Sequence, residues 1–497
     1  MFKNNIKDYI NLEQQIYKLY KLRNAINLLY SNNLITSPIK SINAGSEAIL
    51  NLKQIFHSIV TSQEIKNLID LCNQQQDKLE HSQLINLRKI EKQHILATLI
   101  DSNLQNEHEY NINKAEGIYH KARLENNFDL VKRELKNVIE TTKKIADIKA
   151  SYLNLTPYES LIDNYDPNRK LDFLKNNFNI IKKQLPDIIQ SAQIKQKQWV
   201  LKPINNILRD DQQIGLINII AKYLGFNFKK GRIDYSKQYF CGGSQHDVRI
   251  LIRKEGNFLE NIMKVIHEIG HGIYEQNLPQ KYGDLPVGKA AGMGAHESQS
   301  IIMEQIGKSY EFISLISKIL RDKLLIKDHT LDAGNLYKHI CSIKQNVNRL
   351  YSDELFYLLH IIHRCEIEED MINGNISVDD LPEIWNVKSQ LYLNFKPRNF
   401  AEGCLQDIHW FRGYFGYFSS YFIGTLASSQ LMKKIENKHP NIFQQIEAGN
   451  FKNINVWLNN NVRNFGSIKT FDKIICDSTG SELSSDYFLT YLRQKYL

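Results

Sequence analysis

Two histidines four residues apart with a glutamate between them, His267-Glu268-Ile269-Gly270-His271, are the residues of this chain best arranged for chemistry. On a helix, positions i and i+4 lie one turn apart on the same face, so both imidazoles can converge on a single ion. Zinc accepts such neutral nitrogen ligands, and a catalytic zinc needs three protein ligands plus an open position for water. Glu268 sits where its carboxylate can reach that water without ligating the ion. The bland alternative makes both histidines half-buried residues of an amphipathic helix.

A third ligand separates the two readings. Glu297 follows the second histidine by 26 positions, inside Ala295-His296-Glu297-Ser298-Gln299-Ser300 and after the glycines Gly288, Gly292 and Gly294. A gluzincin, a zinc peptidase whose third ligand is a glutamate on the next helix, needs an acid at such a helix start. Alone, Glu297 would read as a first-turn carboxylate favoured by the helix dipole. After the histidine pair it reads as a ligand of one zinc per chain, a donor set that cobalt or manganese could also occupy. Zinc then lowers the pKa of bound water toward ~7, and Glu268 takes its proton. The oxyanion needs donors, and the run from His409 to Tyr417 offers phenols and an imidazole, Tyr414 and Tyr417 among them. Aromatic runs of this kind are more often core.

These residues need helices to carry them. The run Leu259–Gln276 has helical spacing, with Asn257 as N-cap and Glu260 three residues on. Val248–Arg253 is rich in β-branched residues and reads as a short strand before it. Gly283 and Pro286 mark a turn, and a second helix runs from about Ala295 to Lys308. From Ile6 to Lys197 the chain reads as successive amphipathic helices, including Leu84–Ile100, Leu130–Ile148 and Leu171–Ile194, the last of which Pro186 should kink or divide. The part beyond Phe312 is again helical, broken at Asn373-Gly374 and Leu381-Pro382. The expectation is a mainly α chain, one large helical body with a deep cleft and a small sheet beside it. Within a single domain spanning 1–497, residues 1–200 form a cleft wall and 226–310 the sheet and metal-binding helices. Residues 311–497 then carry the substrate-binding residues.

Composition narrows the partners. Over 497 residues the net charge is only +9, and its lysines and arginines are scattered, unlike the stripes and tails of nucleic-acid binders. Six cysteines lie far apart without a CxxC pair, which suits buried thiols in a reducing compartment. The N-terminus lacks an apolar run of signal-peptide length, and no window approaches the ~18 apolar residues of a membrane span. A cytoplasmic protein with no membrane or nucleic-acid partner is expected.

The sequence resembles the carboxypeptidase Taq family of zinc metallocarboxypeptidases over most of its length, most densely from Gly231 onward. The family's HEXXH stands intact at His267–His271, HES(G)Q at His296–Gln299, and GXXQDXHW at Gly403–Trp410. Phe415-Gly416-Tyr417-Phe418 and Leu381-Pro382-Glu383 also look like its pattern. Three signatures are degraded: DXRXT at Asp247–Leu251 without its threonine, IRXXAD at Asn348–Asp353, and HPF at Gln238-Tyr239-Phe240. The resemblance implies a cleft-containing helical fold like that of neurolysin-type zincins, a homodimer, and release of C-terminal residues from peptides with broad specificity. It implies Tyr417 as transition-state donor, with His409, Tyr414 and Gln406 near the substrate, and His296 as support rather than ligand. A free carboxylate is well held by a guanidinium; Arg349 is the first candidate and Arg249 the second, unless each serves a structural ion pair with Asp353 or Asp247. A metallo-oligopeptidase is the rival reading, and a catalytically silent interaction protein the more distant one.

Overall fold

The computed structural model describes residues 6–35, 42–205, 208–236, 239–253 and 258–497, with the backbone alone at 42–44 and 260. The expected N-cap Asn257 and the Gln238 of the degraded HPF signature lie outside these residues, as does the side chain of Glu260. The chain is mainly α. Its first part contributes the helices Lys7–Ile35 (α1), His81–Thr98 (α2), Asp129–Leu153 (α3) and Leu171–Gln196 (α4). The α2 start carries a capping box between Glu80 and Gln83, which satisfies two of the N–H groups a helix start leaves free.

Of the two outcomes expected at Pro186, a kink or a division, the division does not occur; α4 continues to Gln196. The proline lies on the exposed face, while Ile181, Leu185, Ile188, Ile189 and Ala192 are buried on the other. A proline inside a helix costs about 3 kcal/mol. Each buried Leu or Ile returns about 1.5–3 kcal/mol, so the buried face outweighs it.

A three-stranded sheet follows, of which only the last strand stood out in the sequence. Strands Gly231–Ser236 (β1), Phe240–Ser244 (β2) and Asp247–Arg253 (β3) are ordered β1-β3-β2. β1 runs parallel to β3, with Ile233 opposite Ile250, and β2 runs antiparallel to it, with Cys241 opposite the same residue. Central β3 buries Val248, Ile250, Leu251 and Ile252. Against it packs the helix Phe258–Gln276 (α5), followed by Met293–Gly307 (α6), Glu354–Asn373 (α7), Phe418–Lys438 (α8) and Ser485–Tyr496 (α9).

Most buried apolar residues form one core running from Ala115 to Tyr496. A smaller separate cluster joins Tyr9, Leu12, Ile16 and Leu19 of α1 with Leu87 and Ile90 of α2, and closes on Leu285 and Val287. That second core clamps the turn between α5 and α6. Asp284, in the same turn, pairs with Lys21 of α1 at 2.7 Å and with Lys289 at 3.0 Å. Among the described residues no helix is long and apolar enough to cross a membrane.

Candidate metal centre and active-site cleft

His267 and His271 project from one face of α5, with their Nε2 atoms 3.1 Å apart. Glu297, in the second turn of α6, brings Oε2 to 3.3 Å from His271 Nε2 and Oε1 to 3.8 Å from His267 Nε2. The helices meet this closely because Gly270, between the histidines, has no Cβ. One built there would stand 2.6 Å from the Gln299 carbonyl oxygen. Gly424 does the same for α8, where a Cβ would meet Glu297 Cβ and Cγ at 2.7 Å. Asp166 pins the start of α6, accepting from the Gly294 N–H at 2.7 Å and from the Ser420 hydroxyl at 2.5 Å.

These three side chains are the one His/Cys/Asp/Glu group among the described residues whose ligand atoms converge, all within 4.8 Å of one another. Tetrahedral ligands at zinc distances stand about 3.3 Å apart, so the spacing accepts a divalent ion with little adjustment. Glu297 Oε1 is buried without a hydrogen-bond partner, as a waiting ligand atom would be. His267 Nδ1 meets Glu304 Oε1 at 2.6 Å, an outer carboxylate that orients the ring and raises its basicity. Glu304 follows Glu297 by seven residues, two turns along the same face of α6. His296 is turned away from the ligand atoms: its Nε2 meets Glu275 Oε1 at 3.0 Å and its ring stacks on His271 at 4.3 Å.

Charge at the centre follows from burial and neighbours. Burial opposes a charge on His267, but Glu297 and Glu304 outweigh it and raise its pKa to about 10 in the metal-free chain. Burial, then His296, lowers His271 to about 4. Glu268, 8% exposed, is pushed up to about 7 by burial, against the pull of His267. Glu297 stays below the ordinary carboxylate range because the two histidines overcome the burial that would raise it.

A cavity of about 550 Å³ opens on this centre, lined by His267, Glu268 and Glu297 and also by Arg349, Tyr357 and Tyr421. Arg349 is buried, and its Nε donates to Asp407 Oδ1 at 2.7 Å. Its ion-pair partner is therefore Asp407 rather than Asp353. Arg249, the second guanidinium expected from sequence, is absent from the lining. It grips Asp247 with Nε and Nη2 at 2.6 and 2.7 Å. Gln406 spends its amide inside the fold, donating to the Val347 and Glu402 carbonyls and accepting from the Arg349 N–H.

The aromatic run spreads over several depths. Tyr417 packs edge-on to Tyr165 at 5.0 Å and to Tyr421 at 5.3 Å. Burial holds its phenol well above its ordinary pKa, with Tyr421 and Glu297 adding to the effect, so it remains a donor. His409 lies against Phe418, with its Nε2 3.4 Å from the Tyr421 hydroxyl. Tyr414 is 45% exposed, with its ring 6.3 Å from that of Tyr417. Sequence reasoning missed Glu304, Tyr357 and Tyr421. The two-turn interval from Glu297 could have flagged Glu304, and the single turn from Tyr417 could have flagged Tyr421. Tyr357 had no local signal.

The chain is similar to known carboxypeptidases along nearly its whole length. The family profile described as Carboxypeptidase Taq (M32) metallopeptidase matches residues 11–496. Carboxypeptidase 1 of Bacillus subtilis is 30% identical over 475 residues, covering 95% of this chain and 94% of that protein. Thermostable carboxypeptidase 1 of Pyrococcus furiosus is 27% identical, covering 93% of each. Among solved structures, Trypanosoma cruzi metallocarboxypeptidase 1 superposes with a TM-score of 0.96 at 30% identity, covering 99% of each chain. The chain belongs to the carboxypeptidase Taq (M32) metallopeptidase family and is a metallocarboxypeptidase, a peptide hydrolase.

Proposed function

We propose that this enzyme uses zinc, held by His267, His271 and Glu297, to release C-terminal amino acids from peptides with broad specificity. The observation that carries the reading is the convergence of two imidazoles and a buried carboxylate within 4.8 Å, in a cavity that Arg349 also lines. A divalent cation in that donor set would supply Lewis-acid polarisation of a carbonyl and an acidified water. Glu268 takes a proton from the attacking water and returns it to the leaving amide nitrogen, so one water is consumed per bond cleaved. Tyr417, with Tyr421 beside it, donates to the oxyanion from a phenol kept protonated by burial. Arg349 binds the substrate's free carboxylate, while Gln406 and His409 back the wall that holds it.

The chain acts in this reading as one unit over 1–497. Residues 1–200 serve as a cleft wall that supports the centre through Asp166 and Tyr165, 226–310 carry the metal helices, and 311–497 the substrate residues. A cytoplasmic homodimer is part of the same proposal.

The test compares an unblocked peptide with its C-terminal amide. The wild type should release free amino acids only from the first. Arg349→Met should lower kcat/KM on it by about 30-fold or more, the loss of ~2 kcal/mol of charge-assisted bonding. Equal cleavage of the amide, with internal products, would favour an oligopeptidase instead.

A further inference from the structure

Behind Arg349 the fold buries a second guanidinium that the chemistry above leaves unused. Arg364, in the middle of α7, is fully buried. Its Nε donates to Asp407 Oδ2 at 2.6 Å, Nη1 to the His360 carbonyl at 2.9 Å, and Nη2 to Gln406 Oε1 at 2.6 Å. Arg349 takes the other oxygen of the same carboxylate, Asp407 Oδ1, through a single bond from Nε, and its guanidinium also meets the Tyr421 side chain, a neutral phenol. Two cations thus share one anion, and the cluster carries an excess of one positive charge.

Nearby ionisable groups do not cancel that excess. His409 Nδ1 lies 3.9 Å from Asp407, but burial and then Arg349 lower its pKa to about 3, which leaves the ring neutral. Glu368 accepts from Tyr158 Oη, Trp410 Nε1 and the Gly416 N–H, and reaches neither guanidinium. A buried charge without a partner is costly. The arrangement is sustainable where a ligand of opposite charge completes it.

The pair formed by Arg249 shows the contrasting case. There Asp247 takes both Nε and Nη2 of one guanidinium in a fork, and the two charges satisfy each other. At Asp407 Arg349 forms no such fork, and Arg364 takes the second oxygen.

We propose that Arg364 is a positioning residue for recognition of the substrate carboxylate: by holding Asp407 Oδ2, it restricts Arg349 to one bond with that carboxylate and keeps Asp407 from competing at the Nη edge for an incoming α-carboxylate. The inference rests on the reading of Arg349 as the carboxylate anchor. Without Arg364, Asp407 can close on Arg349 as Asp247 closes on Arg249, and the wall becomes electrically satisfied before substrate arrives.

The experiment uses zinc-loaded full-length Arg364→Met, Arg364→Lys and Arg349→Met, with melting temperature and zinc content recorded for each. The readouts are KM for an unblocked peptide and competitive inhibition by a free-acid dipeptide and by its C-terminal amide. Arg364→Met should raise the acid KM and acid inhibition constant about tenfold, with kcat and the amide constant nearly unchanged. Arg364→Lys keeps the charge and one bond to Asp407, and should recover most of the acid affinity. An unchanged acid constant in Arg364→Met overturns the proposal, and so does an equal loss for acid and amide, which marks a merely structural role. If Arg364→Met does not fold, Arg364→Gln, which removes the charge but keeps a polar side chain, carries the test: an acid loss exceeding the amide loss supports the proposal, and equal losses overturn it. Failure of Arg349→Met to erase the acid preference would instead remove the anchor reading itself.

Discussion

Glu268→Gln should retain about one metal ion per chain and lose kcat by about 10²–10⁴-fold, the range of a lost general base. The glutamine is isosteric, and Glu268 is not among the converging ligand atoms, so metal uptake has no reason to change. What disappears is the proton acceptor. In the metal-free chain burial raises the Glu268 carboxyl to about 7, and a neighbouring dication would bring it back down by favouring the ionised form. Because the base must be ionised, wild-type activity should fall as pH drops through that lowered value. The residual activity of Glu268→Gln should not follow that limb. Metal analysis with a pH–rate profile checks both parts; a variant that turns over normally would remove Glu268 from the mechanism.

Glu297→Ala should weaken metal binding by more than about 100-fold, since losing even an outer partner of a ligand costs 10–100-fold. The remaining histidines would face each other with no anion to complete the donor set, and turnover should be lost with the ion. Proton release gives an independent reading. His267 is protonated at neutral pH in the metal-free chain, held there mainly by Glu297 and Glu304 against burial. It must lose that proton to bind as a neutral nitrogen, so wild-type uptake should release about one proton at pH 7, and affinity should rise with pH. Removing Glu297 removes one of the two acidic influences that hold the proton, so Glu297→Ala should release less. Calorimetry in buffers of different ionisation enthalpy measures both quantities. Wild-type affinity in the variant would mean that the ion sits elsewhere.

The helical class was legible because it is written at short range. Apolar spacing marked α2 and α3 to within a few residues, and Gly374 ends α7 in the left-handed conformation that its place after Asn373 suggested. Pro186 does not divide α4 because the buried face that offsets its cost holds the helix together, and that face is set by packing rather than by the proline's neighbours. β1 and β2 were missed for a related reason: β1 has two apolar residues among its six, and β2 holds two glycines. Their pairing with β3 supplies what their composition lacks.

By itself the sequence determined that two imidazoles share one helical face and that an acid opens the next helix, because a helical turn fixes the geometry of residues four apart. Tertiary structure alone decided the rest. It turned Glu304 onto His267, closed Asp247 on Arg249, and let Asp407 divide itself between Arg349 and Arg364. Arg249 and Arg349 look alike in sequence, each within four residues of an aspartate. Their different partners depend on Asp407, 58 positions from Arg349 and 43 from Arg364, which meets both only by packing α7 against the loop that precedes α8.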